Sequence, residues 1–383
     1  MTAAINALVS TMSFRFIHSS DLHLGRRFLS LPEPQDGNLR GRLMEARFDK
    51  IQRLAAAARA HGAAHVLLAG DTFDTATPSP QVLRQALAAM RDESEVTWWL
   101  LPGNHDNMRN AEPIWDEISR IAPDNVRAAL DGAPIDLAQG VALLPCPVPV
   151  RAAGRDLTEA LPRMETPEGT IRIGLAHGGV VDFSDRGDHI PPDRDQTAGL
   201  DYLALGDWHG RLKVSARTQY SGSPEQDQFK HGMRGRCLAV TLSGRGTEPE
   251  VTEIETGSFL WQDTDLALHD GEDATEALEA LLPSHDRRNT LLKVRASGWA
   301  SLSRHAALHS TAERHAPEFA YLELDADGLG TLHSVADLDE IDHAGAMRLA
   351  AEQLMTEAED AALSEDDRAI AVNRHARLTP VLG

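Results

Sequence analysis

VTWWLLPGNHDN, Val96–Asn107, decides how this chain is read. A run of β-branched, aromatic and aliphatic side chains suits a buried strand, and it ends in a turn at Pro102 and Gly103. Beyond that turn stand an amide, an imidazole and a carboxylate, Asn104, His105 and Asp106: a neutral oxygen ligand, a group titrating near neutrality and an anion. The same grammar recurs on both sides. FRFIHSSDLHLG (Phe14–Gly25) is a strand delivering Asp21 and His23, and HVLLAGDTFD (His65–Asp74) delivers Asp71 and Asp74. IRIGLAHGG (Ile171–Gly179) delivers His177, and LDYLALGDWHG (Leu200–Gly210) delivers Asp207 and His209. Helical patterns separate the early strands. Phe48, Ile51, Ala55 and Ala58 share one face, and Ser79 with Pro80 opens a helix whose apolar side is Val82, Leu83, Ala86, Leu87 and Met90. Alternating strands and helices predict an α/β fold, in which ligand sites gather at the carboxyl ends of strands.

Composition sets the frame. The 383 residues are 42% hydrophobic and 25% charged, enough apolar material for a sizeable core and more than one domain. Cys146 and Cys237 are too few for a disulfide framework or a thiolate zinc site, which suits a reducing cytosol, so a cytoplasmic location is expected. The start, MTAAINALVSTMSFRF, has neither a basic leader nor an apolar run long enough for a membrane span, and residues 1–12 read as a tail. A net charge of −21, from 37 basic against 58 acidic residues, repels polyanions over the chain as a whole. Local help for a nucleic acid comes from Arg211, Lys213, Arg217, Lys230, Arg234 and Arg236, which outweigh Glu225 and Asp227.

Asp21, His23, Asp71, Asn104, His177, Asp207 and His209 are all hard or borderline ligands, suited to manganese, zinc or iron. One ion is too few for so many donors. Two ions roughly 3.5–4 Å apart can hold a phosphate between them, polarise its oxygens and activate water for in-line attack. Asp71 fits a bridging carboxylate, and His105 fits the group that protonates the leaving oxygen.

The ordered set D-x-H, G-D-x-F-D, G-N-H-D, A-H-G and G-D-x-H resembles the calcineurin-like metallophosphoesterase superfamily. SSDLHLG and AGDTFDTATPSP are similar, more narrowly, to the SbcD-type DNA repair exonucleases. The resemblance covers roughly Ser13 to Leu260. It implies a sandwich of two central β-sheets flanked by helices, with Asp21, His23, Asp71 and His209 on one divalent metal and Asp71, Asn104, His177 and Asp207 on the other. The expected ion is Mn2+, with Fe2+ or Zn2+ as alternatives. His105 is the implied catalytic imidazole, and Asp106 joins it as a group orienting a neighbouring ligand or imidazole. The last motif departs from the G-H-x-H of most such nucleases, because Asp207 takes the first histidine's place.

Implied too are 3′ to 5′ exonuclease activity on DNA ends in repair or recombination, endonuclease activity at hairpins or single strands, a homodimer, and an SMC-like ATPase of the SbcC type as partner. Two rival readings share the ligands: a small-molecule phosphodiesterase or phosphatase, and a weakly active regulatory subunit of a DNA-binding ATPase complex. No membrane partner is expected.

Five further residues are candidate substrate contacts: Asp74, Trp208, Arg211, and Ser221 and Ser223 of TQYSGSPEQDQF, whose hydroxyls are placed to meet phosphate oxygens. His18, inside the first strand, reads as a core histidine, and His189 and His231 as surface ones. Trp98 and Trp99, adjacent on a strand, must face opposite ways.

Four segments are expected: the tail 1–12, a nuclease domain 13–260, an α/β capping domain 261–335 and a helical partner-binding segment 336–383. The capping domain reads as αβαβ: a helix over Thr275–Leu282, a strand NTLLKVRASG, a helix over Leu302–His315 and a strand EFAYLELDADG. In the last segment Met347, Ala350, Ala351, Leu354, Ala358 and Ala361 form a helical stripe, and Ser364 with Asp367 is a cap for a second helix.

Overall fold

The computed structural model describes residues 13–33, 37–180, 189–269, 272–332 and 346–378. The expected tail 1–12 and the expected boundary at 335/336 lie outside them. The chain divides into two units, Met1–Leu260 and Trp261–Gly383.

The first unit opens with β1 (Phe14–Ser19), α1 (Leu39–His61), β2 (His65–Leu68), α2 (Pro80–Asp92), β3 (Thr97–Leu100), α3 (Glu112–Ile121) and β4 (Val126–Ala128). β5 (Ile135–Ala138), β6 (Val141–Cys146), β7 (Ile171–His177), α4 (Arg194–Thr197), β8 (Tyr202–Gly206), β9 (Leu212–Lys213) and β10 (Thr218–Tyr220) follow. β11 (Arg236–Leu242) and β12 (Glu250–Glu255) close it. Among the described residues these strands form two mixed six-stranded sheets, ordered β12-β11-β1-β2-β3-β4 and β5-β6-β7-β8-β10-β9. β1 through β4 run parallel, as do β6, β7, β8 and β10. Their carboxyl ends therefore leave each sheet in one direction. The expected two-sheet sandwich flanked by helices is the fold observed.

Alternation on the strands builds the layers. Phe16, Leu67, Trp99, Leu101 and Leu238 of the first sheet pack between the sheets with Leu143, Ile173, Leu175 and Tyr202 of the second. Ile17, Val66, Leu68 and Trp98 point the other way, onto Leu54, Leu87, Met90 and Trp115 of the helices. The Trp98–Trp99 pair thus feeds two cores, as period-two geometry requires. Ser79 caps α2 by accepting from the Val82 N–H at 3.3 Å, with Pro80 at the first helical position.

The second unit holds β13 (Leu260–Leu268), α5 (Ala274–Leu281), β14 (Thr290–Ser301), α6 (Leu302–His315) and β15 (Tyr321–Leu332), in a sheet ordered β13-β14-β15. The expected αβαβ run is present as α5, β14, α6 and β15, and β13 precedes it as a strand the sequence does not announce. In LWQDTDLAL, Gln262, Asp263 and Asp265 interrupt the apolar pattern, and only pairing beside β14 supplies the missing incentive to extend. α7 (Ala346–Glu359) and α8 (Glu365–Leu378) pack on each other, and α8 also lies against β15. Ser364 caps α8 as its spacing predicts: its hydroxyl accepts the Asp367 N–H at 3.1 Å and donates to the Asp367 carboxylate at 2.6 Å. The expected α7 stripe is buried only in part, with Ala351 covered while Ala350 and Ala361 are exposed.

Candidate metal centre

The strand ends of the two sheets meet at one place, and the backbone there is unusual. Asp21 (φ 54°), His23 (φ 44°), Asp71 (φ 53°) and Asp207 (φ 98°) occupy the left-handed region that side chains disfavour. They make up four of the six such non-glycine residues among those described. Strained conformations cost roughly 1–3 kcal/mol each and persist where surrounding structure enforces them, often at functional sites. Packing is equally tight. A Cβ on Gly70 would stand 2.2 Å from His177 Nδ1, and one on Gly103 2.1 Å from Asp71 Oδ1, so only glycine lets the β2 and β3 turns close around these ligands.

Two nests of donors share Asp71. In the first, His23 Nε2 lies 3.2 Å from His209 Nε2, 3.7 Å from Asp71 Oδ2 and 3.9 Å from Asp21 Oδ1, and His209 Nε2 lies 3.8 Å from Asp21 Oδ1. In the second, His177 Nε2 is 3.6 Å from both Asp71 Oδ2 and Asp207 Oδ1, and the Asn104 amide donates to Asp207 Oδ1 at 2.7 Å. A single oxygen, Asp71 Oδ2, therefore faces an imidazole of each nest.

The donor chemistry fits bound cations. His177 donates Nδ1–H to the Ala69 carbonyl at 2.8 Å, which turns the lone pair of Nε2 inward; that buried nitrogen has no hydrogen-bond partner. His23 Nδ1 lies 3.3 Å from Asp74 Oδ1, and His209 Nδ1 3.1 Å from Asp227 Oδ1. Carboxylates accept only, so a pair of rings that keep their protons on Nδ1 would set two Nε2 lone pairs against each other across 3.2 Å. A positive charge between them removes the repulsion. Without an ion, protons must serve: burial disfavours a charged His177, yet Asp71, Asp207 and Asp21 overcome it and push the imidazole up to about 9. Burial also opposes ionisation of Asp71, and His177, His23 and His105 outweigh it and hold the carboxyl below its usual range. Asp207 goes the other way, raised first by burial and then by Asp21 and Asp71 against His177.

His105 stands at the edge of this cluster, its ring edge-on to His23 at a centroid distance of 4.8 Å. Its Nδ1–H donates to the Asp74 carbonyl at 2.7 Å and its backbone N–H to Asp71 Oδ1 at 2.9 Å, so Nε2 remains the atom that can exchange a proton.

Asp106, expected to orient a neighbouring ligand or imidazole, is fully buried and accepts from the Gly103 and Phe73 N–H groups at 2.7 and 3.1 Å, which ties together the β2 and β3 turns that carry Asp71, Asn104 and His105. Burial and the nearby Asp71 push its pKa up to about 7. Several expected substrate contacts belong to the scaffold instead. Ser221 is buried against Ser20 and donates to the Gly222 carbonyl at 3.0 Å, and Ser223 Oγ lies 2.8 Å from the Asp21 carbonyl and 2.6 Å from the Glu225 carbonyl, which share its one proton, so these hydroxyls serve backbone and not phosphate. Arg211 binds Glu253 at 2.9 Å and the Tyr220 carbonyl at 3.2 Å, between strands. Asp74 supports His23 and His105 rather than facing outward alone. Trp208 carries Lys230 Nζ 4.3 Å above its ring and packs against the outer core of the second sheet, which leaves it a pedestal beside the ligands. His18 is the core histidine expected, held between the Tyr202 hydroxyl and the Leu205 carbonyl at 3.1 Å each, and burial lowers its pKa to about 3.

Asp227 and Arg47 were not singled out by their sequence. Asp227 lies in a stretch dominated by basic residues, and Arg47 interrupts the apolar stripe of Leu43 and Ile51 on α1, the one local sign of a buried charge; nothing local tells that the two meet, Arg47 Nη2 lying 2.7 Å from Asp227 Oδ2.

A family model, calcineurin-like phosphoesterase, matches residues 14–229, which hold every one of these donors. The uncharacterized metallophosphoesterase YhaO of Bacillus subtilis is 27% identical over 247 residues, 60% of this chain and 58% of that protein, so the match spans less than two thirds of its relative. A solved dimetal phosphatase from Danio rerio superposes on 63% of this chain and 99% of its own at 13% identity, with a TM-score of 0.35. With the family pattern matched over more than half its length and the ligand residues gathered in space, the chain belongs to the calcineurin-like phosphoesterase family.

Proposed function

We propose that this metal-dependent phosphoesterase is a DNA nuclease of the SbcD type, cutting phosphodiester bonds at DNA ends with 3′ to 5′ polarity. The observation that carries the phosphodiester reading is the placement of His105, whose Nδ1 is committed to the Asp74 carbonyl while the ring borders both His23 and Asp71. In its cationic form that ring donates from Nε2 to a leaving alkoxide. Asp21, His23, Asp71 and His209 would hold one divalent ion and Asp71, Asn104, His177 and Asp207 a second; when bound, such a pair polarises a phosphate and supplies an activated water. The narrower nuclease reading draws its support from the SSDLHLG and AGDTFDTATPSP motifs, and from the cationic lip of Lys230 on Trp208 next to the ligands. Manganese is the proposed ion, since carboxylates outnumber imidazoles in the second set.

Linear duplex and hairpin substrates with added Mn2+, assayed beside a cyclic nucleotide and a phosphomonoester, test the proposal. Cleavage of the small esters without cleavage of DNA would replace the nuclease by a small-molecule phosphoesterase. Substituting Asp207→His removes an anion from the second set and strengthens the Lewis acidity of an ion held there. Two ions per chain are expected to remain, with the pH–rate profile displaced toward lower pH. An unmoved profile places Asp207 outside the ligand set.

The proposed partner is an SMC-like ATPase gripped by α7 and α8, on which Leu349 and Ile370 stay 68% and 48% exposed. Deleting residues 337–383 is expected to abolish co-purification with the ATPase and spare hydrolysis of a small phosphodiester. Because α8 lies against β15, a fall in melting temperature of the shortened chain would show that the helices serve the second unit's own stability instead. A cytoplasmic location and a homodimeric state complete the proposal. Among the described residues no helix is long and apolar enough to cross a membrane.

A further inference from the structure

Both imidazoles of the first ligand set are held from behind by buried charges, one of which, Arg47, comes from α1, a helix that carries none of the proposed ligands. Asp227 is buried and faces His209 Nδ1 at 3.1 Å with one oxygen. Its other oxygen pairs with Arg47 Nη2 at 2.7 Å and Arg26 Nη1 at 3.4 Å. Arg26 also reaches Asp74 Oδ1 at 3.4 Å, the oxygen that stands 3.3 Å from His23 Nδ1. Arg47 is itself buried and donates to the Leu22 carbonyl at 2.5 Å, inside the loop that carries Asp21 and His23. Two arginines and two aspartates thus form a neutral cradle behind two ligand rings. A buried guanidinium and a buried carboxylate are each costly to desolvate, and a pair of this kind is weak evidence for stability alone.

We propose that Asp227, clamped by Arg47 and Arg26, is a positioning residue for the first metal: it fixes His209 in the tautomer and ring orientation that present Nε2 to the ion. The inference rests on the assignment of two ligand sets and not on the DNA substrate. Its physical basis is preorganisation. A ring whose Nδ1–H is bound to an anion keeps its lone pair on Nε2 and loses no rotational freedom when the ion arrives. Gln226, next in the chain, donates to the His209 carbonyl at 2.9 Å, so the same short segment holds both the ring and the backbone of that ligand. The second set has a different character, with the Asp207 side chain 36% exposed and partnered by Asn104. Loss of Asp227 should therefore strike one metal and not the other.

The test is a titration of the full-length, metal-stripped chain with Mn2+ alone, followed through the electron paramagnetic resonance of free Mn2+. Wild type is expected to show two binding events. Asp227→Asn should keep two but weaken one by about 10- to 100-fold while leaving the other nearly unchanged. Asp227→Glu, which restores the anion, should recover part of the loss. Asp227→Asn strands the Arg47 charge, so the double variant Arg47→Met with Asp227→Asn removes that charge as well; it should fold and still show the selective loss. Unchanged affinities in the folded variants would overturn the proposal, as would an equal weakening of both events with a lowered melting temperature of the metal-free chain. Since no phosphate ester enters the titration, failure of the nuclease reading leaves this result intact.

Discussion

Asp71→Ala is expected to abolish turnover and to lower metal content at both positions together. The reason lies in one oxygen: Asp71 Oδ2 stands 3.7 Å from His23 Nε2 and 3.6 Å from His177 Nε2, while Oδ1 accepts the His105 backbone N–H at 2.9 Å. A carboxylate so placed would serve both proposed ligand sets, and it holds the turn that carries Asn104 and His105. Removing it takes one anion from both donor sets at once, which would weaken the hold on each ion. Elemental analysis of the purified variant, with circular dichroism to establish that it is folded, is the measurement. Full occupancy at either position would remove the bridging role.

His105→Ala should behave differently. The ring meets the centre through its edge and its backbone, and its Nδ1 is bound to a carbonyl, so no ligand is lost when it is cut away. Both ions are expected to stay, while the rate falls by roughly 10²–10⁴-fold, the usual range for a group that transfers a proton in the transition state. A substrate with a far better leaving group, such as a nitrophenyl ester, needs less protonation and should recover much of the loss. Departure of a metal together with the activity would make His105 a ligand, for which it lies within reach of His23 and Asp71.

Most of the architecture of the first unit was legible in its residues. Period-two alternation in VTWWLLPGNHDN puts Trp98 and Trp99 on opposite faces of the strand, and the fold then sets Trp98 against the helices and Trp99 between the sheets. The caps at Ser79 and Ser364 were legible for a similar reason, since a hydroxyl three residues from its N–H partner is a local arrangement. β13 was not, because Leu260–Leu268 carries too many polar side chains to declare itself before β14 is in place.

The same division runs through the site. By itself the sequence determined which residue types stand at the strand ends, and so that oxygen and imidazole donors dominate; parallel strands then deliver those ends to one side. Only the tertiary structure decided which neighbours each donor would meet. Ser221, Ser223 and Arg211 look in the sequence like groups awaiting a substrate, yet each satisfies a backbone or strand partner within the protein. Asp227 and Arg47 look like ordinary surface charges, yet they are buried as a pair behind His209 from positions 180 residues apart. A polar side chain has no preference written into it between water, a substrate and a distant N–H group. The choice falls to burial, because a desolvated donor or acceptor must find a partner, and which partner lies within 3 Å is settled only when the sheets and α1 have packed.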